Sequence, residues 1–143
     1  MPPPSEDGPN KAKPTNGIVH RRSPFGVDDT VDRLADAISS VGAKLFAVID
    51  HSGEAQRAGL SLRDTKLVVF GNPVAGTPVM EAAPLTAIEL PLKVLVWADD
   101  EGTVWLTYLS GEWLANRHGL VAELAKALSA TEVLTARVLA TSS

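Results

Sequence analysis

Cysteine is absent from this chain of 143 residues. The absence excludes disulfides, thiolate nucleophiles, iron–sulfur clusters and cysteine-ligated zinc. An excess of basic residues is absent too, because the formal net charge is -4, whereas nucleic-acid-binding surfaces usually carry a basic stripe. No apolar run approaches the roughly 18 residues that a membrane-spanning helix needs. We therefore predict a soluble, cytoplasmic protein that binds neither nucleic acid nor membrane.

Several motifs of enzyme chemistry are also missing. The sequence has no glycine-rich phosphate-binding loop, no serine in a nucleophile elbow and no pair of histidines at helical spacing. Its three histidines, His20, His51 and His118, lie far apart along the chain, so their spacing does not support a metal site. We predict no metal and no cofactor.

Length and composition are typical of one globular domain. The chain is close to the commonest domain size, and 45% of its residues are hydrophobic, which suffices for one core. Residues 1–15 are rich in proline and charge and lack the apolar core of a signal peptide, so we predict a disordered tail there. Residues 16–143 are predicted to form a single α+β domain.

The hydrophobic pattern predicts a strand, a helix, four strands and a second long helix. Apolar residues at helical spacing between Val31 and Val41, followed by Gly42, predict the first long helix, and Leu120–Leu139 supplies the second. Strands are predicted at Gly17–Ser23, Lys44–Ile49, Lys66–Phe70, Leu92–Trp97 and Thr103–Leu109. The three middle strands are apolar almost throughout, which is typical of buried strands. We predict a mostly antiparallel sheet with two long helices packed on one face.

The end of the first apolar strand carries the strongest candidate for acid–base chemistry. His51 follows Asp50 there, and strand ends present polar groups to clefts, so His51 could act as a general acid or base. It could equally cap the next helix or satisfy a loop carbonyl. Arg63, just before the next strand, could hold a ligand carboxylate in bidentate fashion, or it could pair with Asp50, Asp64 or Glu54.

Four further residues are candidates for a site near the later strands. Asn72 could hold its turn by bonding the nearby backbone, or it could point its amide at a ligand. Tyr108 lies on the predicted core face of its strand, where its hydroxyl needs a partner in the protein or in a bound molecule. Met80 and Trp105 are large apolar side chains that suit core or subunit packing first and the lining of a pocket second.

The sequence resembles the bacterial and archaeal family catalogued as domain of unknown function 302. The resemblance runs from about Val27 to Leu128 and rests chiefly on Asp50-His51, Leu62-Arg63, Phe70-Gly71-Asn72-Pro73, Leu90-Pro91-Leu92 and Arg117-His118-Gly119-Leu120. It implies a fold similar to the TATA-binding-protein-like α+β class and implies homodimers, but it implies no reaction. The sequence departs from the family pattern in two places. Glu89 replaces the usual Asp before Leu-Pro, and Leu109-Ser110 replaces the usual Asn-Asp.

Three hypotheses for function follow. The first is a small-molecule-binding domain, which we predict to be dimeric because large apolar groups lie around the hairpin, namely Trp97, Trp105, Trp113 and Met80. Its pocket would lie between the sheet and residues 72–90, with ligand-binding residues Arg63, Asn72, Met80, Glu89 and Trp105. The second is a cofactor-independent isomerase, lyase or cyclase with His51 and Tyr108 as catalytic residues. The third is a structural or protein-interaction domain.

Overall fold

A single five-stranded antiparallel sheet organises the part of the chain that the structure, a computed structural model, describes. The described residues are 16–140, so the predicted N-terminal tail lies outside them. The strands are β1 Ile18–Ser23, β2 Lys44–Asp50, β3 Thr65–Gly71, β4 Leu92–Ala98 and β5 Val104–Leu109. They lie in the order β1-β5-β4-β3-β2, and every neighbouring pair is antiparallel. The predicted fold class is confirmed.

Among the described residues, three α-helices lie between strands and three follow the last strand. They are α1 Val27–Ser40, α2 His51–Arg57, α3 Pro73–Ala82, α4 Gly111–Arg117, α5 Ala122–Ala125 and α6 Ala130–Ala140. Two 3₁₀ segments, Pro84–Glu89 and Lys126–Ser129, complete the set. The region predicted as one long second helix is therefore divided into α5, a 3₁₀ turn and α6. Helix α1 packs against α6, and both contact the sheet.

The core lies between α1, α6 and one face of the sheet. Alternate residues of the central strands, among them Val94, Val96 and Leu106, are fully buried, as are Leu34 and Ile38 of α1. Residues on the opposite face of the same strands are only partly buried, apart from a few such as Trp105. The domain is thus a two-layer structure, since each strand buries one face against helices.

Strand β2 differs from its prediction as a buried strand. It forms an edge of the sheet, and its residues from Lys44 to Ile49 are all exposed. An apolar run does not reveal the neighbours of a strand. Within residues 16–140, β2 pairs only with β3, so one of its edges is unpaired in this part of the chain. The register also shifts between Leu45 and Ala47, which leaves Phe46 at a bulge.

Candidate ligand-binding pocket

An apolar pocket of about 390 Å³ lies at the end of the sheet where β3 finishes and β4 begins. Phe70, Gly71 and Leu92 form its wall on the sheet side. Helix α3 and residues 126–134 close it from the other sides, and the bulged Phe46 reaches it from β2. The volume is within the range of roughly 300–1,000 Å³ that is typical of small-molecule sites. The pocket borders residues 72–90, where the sequence analysis placed a site.

The turn from β3 into α3 builds one side of this pocket. Asn72 is the N-cap of α3, and its Oδ1 accepts a hydrogen bond of 3.0 Å from the backbone N–H of Val74. Pro73 occupies the first helical position, where its missing N–H costs nothing. Of the two roles considered for Asn72, the structure shows the turn-holding one. Its Nδ2 has no hydrogen-bond partner among the described residues, although Asn72 itself lines the pocket.

Gly76 of α3 leaves space on the pocket wall. A Cβ atom added at Gly76 would lie 3.9 Å from Cδ1 of Leu90 and 4.0 Å from Cε of Met80, which is ordinary van der Waals contact. Leu90 and Met80 both line the pocket. A larger side chain at position 76 would therefore project toward the cavity.

The polar groups around the pocket are few. Among the described residues that line it, Asn72, Thr77 and Lys126 carry polar side chains, and Lys126 alone carries a titratable group. Lys126 is exposed, and no carboxylate in residues 16–140 forms an ion pair with it. The pocket therefore combines an apolar interior with three polar side chains, of which Asn72 and Lys126 carry donor groups without a partner in residues 16–140.

Two of the residues predicted from the sequence, Asn72 and Met80, line this pocket. The other five, His51, Arg63, Glu89, Trp105 and Tyr108, do not. The structure therefore distributes the predicted residues over several regions, and their functional roles stay predictions.

His51 and Arg63 lie toward the opposite end of the sheet from the pocket. His51 is the exposed first residue of α2, directly after Asp50, which caps that helix by accepting a hydrogen bond of 2.9 Å from the Gly53 N–H. Arg63 forms an ion pair with Asp100 and donates a hydrogen bond of 3.2 Å to the Ala98 carbonyl. Arg63 thus ties the β2–β3 connection to the hairpin. Its partner is none of the three acids considered from the sequence.

A polar cleft lies beside this end of the sheet. Asp28, Asp50, Ser52 and Lys66 are among its lining residues, and His51 and Arg63 are not. Lys66 donates to Asp28 over 2.7 Å. The Gly53 backbone N–H, which donates to the Asp50 carboxylate, holds the pKa of Asp50 below its usual value. Lys66 is thus paired with Asp28, and Asp50 is held by hydrogen bonds from its own helix.

Trp105 and Tyr108 of β5 are buried. Trp105 is 3% exposed, and its indole N–H donates to Oδ2 of Asp99 over 3.0 Å. This hydrogen bond, supported by the Thr103 and Glu101 N–H groups, lowers the pKa of Asp99. Tyr108 belongs to the main core cluster. Trp105 therefore fixes the β4–β5 hairpin.

Glu89 contacts two residues that the sequence analysis did not place with it. Its carboxylate pairs with His118 and, at 3.5 Å, with Nε of Arg117. The backbone carbonyls of Glu89 and Pro91 accept hydrogen bonds of 3.3 and 2.8 Å from Nζ of Lys93. Burial lowers the pKa of Lys93, while the charge of Glu89 acts in the opposite direction. Because Leu90 and Pro91 line the pocket, this cluster anchors one pocket wall to the end of α4.

Lys93 and Lys126 are functional candidates that the sequence analysis missed. Lys93 is the only charged residue in β4, a pattern that could have drawn attention to it. Lys126 stands in a helical region where a lysine is unremarkable in sequence, so only the structure relates it to the pocket.

Within residues 16–140, no group of three or more His, Asp or Glu side chains is placed to hold a metal ion. No helix in that same part of the chain is long and apolar enough to cross a membrane.

The fold and the pocket define a two-layer α+β domain with an apolar cavity at one end of its sheet. The family described as "Domain of unknown function DUF302" matches residues 19–138, so the chain belongs to this family. A crystal structure of an uncharacterized conserved DUF302 protein from Bacillus stearothermophilus is similar, with a TM-score of 0.73 and 18% sequence identity. The similarity covers 88% of this chain and 98% of that chain, and it supports the fold.

Curated relatives come from Brucella. The chain is 40% identical over 105 residues to proteins named "Fluoride-specific ion channel FluC 1" in Brucella suis biovar 1 (strain 1330) and Brucella abortus biovar 1 (strain 9-941). The matched region is 73% of this chain but only 41% and 39% of those two proteins. The chain thus spans about two fifths of the length of these relatives.

Proposed function

We propose that this chain is a small-molecule-binding domain whose ligand occupies the apolar pocket beside α3. The observation that carries the proposal is the pocket itself, about 390 Å³ at the end of a rigid sheet. Small-molecule sites are concave and mostly apolar, with a few polar groups that orient the ligand. Asn72, Thr77 and Lys126 are such groups here.

The composition of the lining favours binding over acid–base catalysis. A general acid or base must reach the proton that it transfers. Of the described lining residues only Lys126 titrates, while His51 lies toward the other end of the sheet and Tyr108 lies in the core. We therefore place the isomerase-type hypothesis behind the binding hypothesis.

A pocket-filling substitution tests the binding proposal. We expect the neutral probe N-phenyl-1-naphthylamine to fluoresce in the wild-type protein and in Gly76→Ala, whose added methyl group barely reduces the cavity. Gly76→Phe should occupy the cavity and abolish the signal. Circular dichroism would show that both variants fold. Equal probe fluorescence in all three proteins would mean that the pocket beside α3 does not bind such molecules.

We also propose that the protein forms a homodimer. The surface that supports the dimer is the exposed edge of β2 and not the apolar groups around the hairpin. The tryptophans named in the sequence analysis are buried or partly buried. Strand β2, in contrast, exposes about 39–45% of Leu45, Phe46, Val48 and Ile49. A long apolar edge with unpaired backbone groups is a template for another strand.

The charges of β2 suit pairing with a second copy. If two β2 strands pair in antiparallel fashion about a twofold axis at Ala47, Lys44 of each copy lies opposite Asp50 of the other. Such a pair adds little energy at a surface but favours one register. Lys44 is exposed, and no ion pair occupies it within the described residues.

Light scattering with two matched variants tests this dimer. Val48→Lys should give a mass near the 15.1 kDa of the monomer, because it places a charge in the interface. Val133→Lys makes the same change at an exposed valine of α6 and should leave a dimer of twice that mass. A wild-type monomer at tens of micromolar, or a dimer that survives Val48→Lys, would refute the proposal.

We also propose that the domain works together with a fluoride channel. The 40% identity to part of proteins named as fluoride-specific channels supports this, because domains joined in one chain commonly serve one process. In cells that lack their own fluoride export, the chain should alter fluoride resistance only when a FluC channel is co-expressed, and fractionation should find it in the cytoplasm. Unchanged resistance together with failure to co-purify with the channel would contradict this link.

A further inference from the structure

We propose that the pocket beside α3 selects amphipathic anions, that is, molecules with a compact apolar body and an anionic head group held at Lys126 and Asn72. This inference rests on the proposed binding function and specifies its ligand class. Among the described lining residues, every other side chain is apolar except that of Thr77, so the body of the ligand must be apolar. The head group is determined by the two donors at the rim.

Lys126 provides the charge complementarity. It stands at the start of the 3₁₀ turn, which packs against α3. Five other basic residues of the described part form ion pairs, namely Arg33, Arg57, Arg63, Lys66 and Arg117. Lys126 forms none there, like Arg21, Arg22, Lys44, Lys93 and Arg137, but of these six it alone lines the pocket. A carboxylate or phosphate on the ligand would supply a counter-charge for the exposed Lys126 ammonium.

Asn72 adds a second donor of fixed position. Its Oδ1 is engaged in capping α3, which orients the side-chain amide and leaves Nδ2 as the free end. An amide nitrogen donates and does not accept hydrogen bonds. Together the two side chains offer donors and no acceptor, so they favour an anion over an ammonium or a neutral donor.

Titration with straight-chain probes measures how the affinity depends on the apolar body and on the head group of the ligand. In the full-length protein we expect carboxylates from butyrate to dodecanoate to bind about fourfold tighter for each added CH₂, until the pocket is full and the gain stops. Decanoate should bind more tightly than decanol, and decyltrimethylammonium should bind most weakly. Comparing the affinity of decyl phosphate with that of decanoate shows whether the pocket prefers a phosphate or a carboxylate head group.

Variants assign the head-group preference to the two donors. Lys126→Ala should weaken decanoate roughly twofold to tenfold and leave decanol unchanged, and Lys126→Glu should favour decyltrimethylammonium. Asn72→Asp keeps an oxygen to cap α3 but replaces the donor by a carboxylate, so it should weaken decanoate while the helix stays intact. Arg137→Ala, which removes an exposed charge that does not line the pocket, should change nothing.

The outcomes separate this inference from the binding proposal. If decanoate and decanol bind equally, or if Lys126→Ala weakens both alike, the anion preference is wrong while the pocket remains a binding site. If none of the decyl probes binds and N-phenyl-1-naphthylamine also fails, the binding proposal itself is wrong. Tight decanoate binding that Gly76→Phe does not affect would place the anion site elsewhere and would overturn the assignment to this pocket.

Discussion

Replacing Thr86 by valine should stabilise the protein, although most substitutions of buried residues do the opposite. Thr86 lies in the 3₁₀ segment before β4 and is 0% exposed, and its Oγ1 has no hydrogen-bond partner among residues 16–140. A buried hydroxyl without a partner costs about 1–3 kcal/mol of desolvation. Valine has nearly the same shape and lacks this cost, so we expect the free energy of unfolding to rise by about 1–2 kcal/mol.

Thr30 provides the control because it is as deeply buried as Thr86 but its hydroxyl is hydrogen-bonded. It is also 0% exposed, but its Oγ1 donates to the Gly26 carbonyl over 2.7 Å and contacts Oγ of Ser23 at 2.7 Å. Thr30→Val removes these bonds, so we expect a loss of about 1–3 kcal/mol. The same substitution at two equally buried sites should therefore have opposite signs.

Urea unfolding monitored by tryptophan fluorescence measures both changes. Equal slopes of free energy against urea would show that the unfolding transition is the same in each protein. Thr86→Ser keeps the hydroxyl and removes a methyl group, so it should lower stability by about 1 kcal/mol. Destabilisation of Thr86→Val by more than about 1 kcal/mol would show that Oγ1 of Thr86 has a partner in solution, and the reasoning would fail.

Three further predictions concern particular contacts. Gly76→Ala should raise the free energy of unfolding by about 0.5–1 kcal/mol in urea titrations, because a glycine inside a helix is unfavourable and a Cβ has room there. Gly111→Ala should lower it by more than about 2 kcal/mol, because its Cβ would lie 2.5 Å from the Leu128 carbonyl oxygen; a neutral result would refute the close packing. The pKa of Asp99 lies below its usual 3.8, so its stabilisation is complete above about pH 3.8 and is lost as the pH falls through the lower folded-state value. Acid titration of Asp99→Asn should accordingly show a shallower decline than the wild type, and parallel curves would contradict the assignment.

The candidate site was only partly predictable. Asn72 and Met80 lie within residues 72–90, beside which the sequence analysis placed a pocket, and both line the pocket. Arg63 was considered for a local ion pair, but it contacts Asp100, which is 37 residues away along the chain. Glu89 and His118 are 29 residues apart, and no periodicity relates them. Contacts of this kind depend on which loops the tertiary structure brings together at each end of the sheet.

The sequence by itself determined the existence and order of the strands, the helix α1 and the turns. Local properties account for this, namely apolar periodicity and glycines at positive φ such as Gly42, Gly59 and Gly102. These act over a few residues, so the sequence displays them directly.

The tertiary structure alone decided which strands lie at the edges and which face of each strand is buried. Strands β2 and β4 are both apolar runs, yet β4 lies at the centre of the sheet and β2 at its edge. Leu95 and Val96 are adjacent and equally apolar, but only Val96 is fully buried. The pocket likewise exists because α3 and residues 126–134 pack over the ends of β3 and β4. Such arrangements follow from long-range packing, and a hydrophobic residue carries no information about its partner.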